Sequence, residues 1–103
     1  MKAYYSEFVR HCLRHYVKTL DEGRGGHPIF RCEAERNNWA ACYNVLKKYS
    51  ENEMDTISRI YRPGDTIADN VYMLSKAKQV SQDSLWSLIS RVERSVAKER
   101  GLI

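Results

Sequence analysis

The sequence predicts an all-α domain of about five helices. No stretch alternates apolar and polar residues with period two over a useful length. Apolar residues instead recur at three- and four-residue spacing in five separate windows, and short breaks rich in capping residues, Gly or Pro divide those windows. A chain of 103 residues has room for one domain with a single modest core.

The first helix is predicted over about residues 2–20, with Tyr5, Phe8, Val9, Cys12, Tyr16 and Leu20 on one face. Gly23-Arg24-Gly25-Gly26-His27-Pro28 ends it in a loop over about residues 22–31. The second helix runs from Glu33 to about Tyr49 and turns Trp39, Cys42, Tyr43 and Leu46 inward. Ser50-Glu51-Asn52-Glu53 is a capping box, in which hydroxyl and carboxylate satisfy each other's backbone donors. It opens a third helix carrying Met54, Ile57, Ile60 and Tyr61, which Pro63 stops. Thr66 and Asp69 offer the same box to a fourth helix, and Val80-Ser81-Gln82-Asp83 interrupts it. Leu85, Leu88, Ile89, Val92 and Val96 then mark a fifth helix, closed by Gly101 with Leu102 as the accompanying apolar contact. Residues 1–50 read as an N-terminal helical pair and residues 51–103 as a helix-turn-helix unit, because two helices meet there across a tight polar turn.

Hydrophobic residues make up 43% and charged residues 29%, a balance that folds rather than staying disordered. No apolar run approaches the ~18 residues of a membrane span, and Glu7, Arg10 and His11 break any signal-peptide pattern, so a cytoplasmic location is expected. Three cysteines form no even framework, which predicts reduced thiols. The net charge of +4 is unevenly placed: residues 1–50 hold nine Lys/Arg against five Asp/Glu, whereas residues 51–103 hold eight of each. Phosphate contacts dominate non-specific DNA affinity, so a DNA-binding C-terminal unit needs basic residues from elsewhere in the fold.

Few residues point to other chemistry. His11 and His15 share a helix face, with His27, Cys32 and Cys42 elsewhere, but no paired Cys motif accompanies them and Cys12 falls on the apolar stripe. No metal or other cofactor is expected. Gly23-Arg24-Gly25-Gly26 lacks the Gly-Lys-Ser/Thr ending of a phosphate loop and reads as a connector. No motif organises a cysteine with a histidine base, so no catalytic residue is assigned and an enzyme is not expected. Seven tyrosines are too many to bury with every hydroxyl satisfied, which places several at the core margin or on a partner surface. With Arg10, Arg14 and Lys18 on the first helix, they make the N-terminal half a candidate partner face or a phosphate-contacting surface.

Val80-Ser81-Gln82-Asp83-Ser84-Leu85-Trp86-Ser87-Leu88 resembles the start of the recognition helix in region 4 of sigma factors. Met54 to Tyr61 is similar to the helix before that motif, and Thr66-Ile67-Ala68-Asp69-Asn70-Val71 to its scaffold helix. The likeness covers about residues 51–100 and extends to the small phage-encoded transcriptional activators of Gram-positive hosts. It implies a non-catalytic DNA-binding regulator of phage or mobile-element type, with duplex DNA and RNA polymerase as partners. By that resemblance Ser81 caps the recognition helix, Gln82, Ser84 and Ser87 face the major groove, and Arg91 and Arg94 reach phosphates. Leu85, Leu88 and Val92 would be core. Trp86 is either a core residue or the anchor of a partner or homodimer contact. The alternative function is a helical adaptor or homodimer that carries no DNA.

Overall fold

Short polar side chains set where the helices begin. Ser50 Oγ accepts the Glu53 N–H at 3.2 Å, and the Glu53 carboxylate accepts the Ser50 N–H at 3.2 Å, completing the expected capping box. Thr66 Oγ1 accepts the Asp69 N–H at 3.0 Å, but the expected return bond to the Asp69 carboxylate is not made. Ser81 Oγ accepts the Ser84 N–H at 3.1 Å. The resulting elements are α1 (Ser6–Asp21), α2 (Glu33–Leu46), α3 (Glu51–Ile60), α4 (Ile67–Lys78) and α5 (Gln82–Glu99). This computed structural model describes residues 3–22 and 29–103, and among them the only regular elements are these five helices. The Gly-rich run and His27 lie outside the described residues.

Two helices end on left-handed residues. Gly101 has φ +83, with its N–H on the Lys98 carbonyl and the Leu102 N–H on the Ala97 carbonyl, so the last carbonyls of α5 are satisfied as the sequence predicts. Gln79 does the same after α4 at φ 55, where a glycine would be the easier choice, and the Val80 N–H reaches the Ser75 carbonyl. The turn between α4 and α5 is therefore only Gln79-Val80-Ser81. The α2 helix stops at Leu46, three residues before the expected Tyr49, and tighter turns carry the chain through Lys48 and Tyr49.

The fifth helix is the element the others gather on: α1, α2 and α4 all pack against it, while α3 packs on α4. One cluster of buried residues draws on all five helices, including Leu13, Cys42, Ile57, Val71 and Val92. The buried stripe of α1 is rotated from the expected one. Leu13 and Val17 are fully inside, whereas Phe8 is 43% exposed and Tyr5 and Leu20 sit at the margin. On α2, Ala41 and Val45 join Cys42 and Leu46 inside, and Tyr43 is exposed. Trp39 is half-buried; its indole N–H donates to Thr19 Oγ1 at 3.0 Å and its ring stacks on Tyr43.

Polar bonds then lock the helices together. Glu93, 3% exposed in the middle of α5, accepts from Arg10 Nε and from the Tyr61 hydroxyl, each at 2.8 Å and both on Oε2. Burial, followed by the adjacent Glu93 charge, pushes the Tyr61 phenol well above its ordinary pKa, so it stays a donor. Arg14 donates to the carbonyls of Arg62 and Asp65, and Asn70 to those of Ile60 and Arg62, which ties the α3–α4 turn to α1 and α4. Among the described residues no helix is long and apolar enough to cross a membrane.

A buried charge that loses its partner costs about 3–5 kcal/mol. Arg10→Met, which keeps the apolar stem, should therefore lower stability by about 3 kcal/mol, and Tyr61→Phe by about 1–3 kcal/mol through one lost hydrogen bond. Gln79→Gly should raise it by about 1 kcal/mol by relieving the left-handed residue. Urea midpoints at unchanged slope measure all three.

Candidate nucleic-acid interface

A helix of 18 residues packed on one side leaves a long open side, and on α5 that side carries charge. Ser87, Arg91 and Arg94 follow one another at four- and three-residue steps, and all three are exposed. Lys98, four residues on and also exposed, extends the line. The family motif does not reach as far as Lys98, but the four-residue helical step does. Neither Arg91, Arg94 nor Lys98 has a carboxylate partner among the described residues.

Other cations are engaged. Arg10 is held by Glu93, and Lys18 Nζ lies 3.9 Å from Glu22. Arg59 and Lys78 both meet Asp55. The Lys78 hydrogen bond to Asp55, and then the positive charge of Arg59, hold that carboxyl below the usual range.

The remaining candidate positions divide. Gln82 and Ser84 are exposed at the start of α5. Ser84 Oγ lies 2.8 Å from Ser81 Oγ, so its hydroxyl belongs to the helix cap as much as to any ligand. Gln82 lies five residues before Ser87, which is about 140° around a helix of 3.6 residues per turn. It shares a side with Trp86 rather than with the arginines. Trp86 itself is half-buried and packs on the core of its own chain, with its edge lining a cleft between α5 and the start of α1.

The expected contribution of α1 is absent from this side. Arg10 and Arg14 are bound to Glu93 and to backbone carbonyls, and Glu93 is about 160° around α5 from Arg91. Lys48, just past α2, takes their place: it lines a shallow depression with Arg91, Ser95 and Lys98, to which Glu53 and Glu99 also contribute. Among the described residues Lys48 thus brings a basic side chain of the N-terminal half beside Arg91 and Lys98, a convergence that residue spacing along the chain does not reveal.

His15 Nε2 stands 4.0 Å from Glu35, His11 is exposed and Cys12 is buried. No group of three His, Cys, Asp or Glu among the described residues is placed to hold a metal ion. Burial pushes the Cys12 and Cys42 thiols up, Cys42 far beyond the ordinary range, while Cys32 is exposed. The chain matches no protein-family model, and no curated protein or solved structure matches it either.

A chromogenic disulfide at neutral pH should therefore titrate Cys32 rapidly in the folded protein, with Cys12 and Cys42 reacting only on unfolding. Cys32→Ser should abolish the fast phase.

Proposed function

We propose that the chain is a small, non-catalytic DNA-binding protein that regulates transcription, with α4 and α5 as its helix-turn-helix. The observation that carries this reading is the line of Ser87, Arg91, Arg94 and Lys98 on the open side of α5, whose three cations lack carboxylate partners. Unpaired guanidinium and ammonium groups along one helix are suited to phosphates, which reward cations with counterion release. The three-residue turn, the Ser81 cap and the resemblance of residues 51–100 to sigma factor region 4 support the same reading. On that resemblance RNA polymerase is the partner such a regulator would recruit or modulate.

A second reading, a helical interaction module without DNA, is favoured by Tyr72 and Met73, which expose large apolar surface side by side on α4. Trp86 is partly buried against the core of its own chain and keeps an edge on the cleft beside α1.

Fluorescence anisotropy with random-sequence duplex DNA, titrated over about 50–200 mM salt, separates the two. The DNA reading expects micromolar-range binding that falls steeply with salt. Arg91→Ala/Arg94→Ala should weaken it and flatten the log–log salt slope by about two, one for each lost phosphate contact. Absence of binding at the lowest salt would leave the interaction module in its place.

A further inference from the structure

The cleft between α5 and the start of α1 has a volume of about 370 Å³ and is lined by Tyr5, Ser6, Arg10, Trp86, Ile89 and Glu93. That volume lies at the lower end of the roughly 300–1,000 Å³ typical of small-molecule sites. Its chemistry is unusual for a gap between two helices. Glu93 and Ser6 are each 3% exposed, yet each keeps a side-chain oxygen with no hydrogen-bond partner among the described residues. Both Glu93 bonds fall on Oε2, so Oε1 accepts none, and the Ser6 hydroxyl has no partner among the same residues. Neither atom is sealed away, because no buried side-chain oxygen or nitrogen among the described residues is left without a partner. Both residues line the cleft.

Arg10 completes the polar floor. Its Nε is spent on Glu93, and neither terminal nitrogen donates a hydrogen bond among the described residues. A carboxylate oxygen free to accept thus shares the cleft lining with guanidinium N–H groups free to donate, with the charges of the pair already cancelling. Tyr5 and Trp86 supply aromatic surface at the same cleft and make no ring contact with each other.

We infer that this cleft binds a small, planar, uncharged heteroaromatic molecule with an N–H beside a ring carbonyl, the cyclic-amide edge also found on oxopurines. The N–H donates to Glu93 Oε1, the carbonyl accepts from Arg10, and the ring lies against Trp86 and Tyr5. A neutral ligand is favoured over a zwitterion because a charged group would lose its water to meet a pair that is already neutral. The site is on a different side of α5 from Arg91 and Arg94, so it stands whether or not the chain binds DNA.

Isothermal titration calorimetry tests this with isoquinolin-1-one, a fused bicycle with a single N–H beside its carbonyl, added to the full chain. Saturable one-to-one binding is expected. N-methylation of the probe should weaken it at least about tenfold, since Glu93 Oε1 would be left facing a methyl group. Trp86→Leu, which retains apolar bulk, should weaken it by about tenfold, the scale of one aromatic stack. Equal binding of the N-methyl probe, no saturable binding of the parent, or preference for the zwitterion phenylalanine would each overturn the assignment. The probe comparison uses unaltered protein, so it decides the matter even if Trp86→Leu does not fold.

Discussion

Glu93 is the point on which the arrangement of helices turns. A carboxylate in the middle of α5 is nearly dry, and such a charge persists only if donors meet it. The two donors come from distant parts of the chain, Arg10 in α1 and Tyr61 at the end of α3. Apolar side chains alone would allow α1 and the end of α3 to shift relative to α5 at small cost, because hydrophobic contact has no direction. A charged bond between named atoms removes that freedom. It fixes the azimuth of α5, and with it which residues of that helix face water.

That azimuth gives α5 three different sides. Leu85, Leu88, Ile89, Val92 and Val96 fill the core. Trp86, Ser90 and Glu93 border the cleft with the start of α1. Ser87, Arg91, Arg94 and Lys98 remain outside. The arginines that were expected to gather with them from α1 are consumed in holding the fold, which shows that basic residues count toward an interface only after their structural partners are subtracted. What remains on α5 is less charge than composition offers, but none of it is ion-paired among the described residues, although Glu53 and Glu99 line the same depression.

The helices were legible because their signals are local. Ser50, Thr66, Ser81 and Gly101 each act within a few residues of themselves, and each caps its helix as its neighbours in sequence imply, although Asp69 does not complete the box at Thr66. The phase of α1 was not legible. Phe8 and Leu13 are both apolar and both fit a helical stripe, so only the position of α2 and α5 decides that Leu13 goes inside. Glu93 was invisible for a related reason: a glutamate between Val92 and Arg94 looks like any solvated residue until Arg10 and Tyr61 arrive from far along the chain. Of the proposed site, the Ser87–Arg91–Arg94 spacing was readable, whereas the approach of Lys48 and the pairing of Lys78 with Asp55 depend on tertiary packing.

The Tyr4 hydroxyl donates to the Leu102 carbonyl at 2.7 Å, so the first and last described parts of the chain meet at one edge. The path of the backbone is nearly a closed ring. Ala3 and Tyr5 also border the cleft beside Trp86. The described chain thus begins at the cleft opening. A peptide joined beyond Leu102 starts from the same edge. A circularly permuted chain with a short bridge between these ends could keep every helix in place while moving the termini elsewhere.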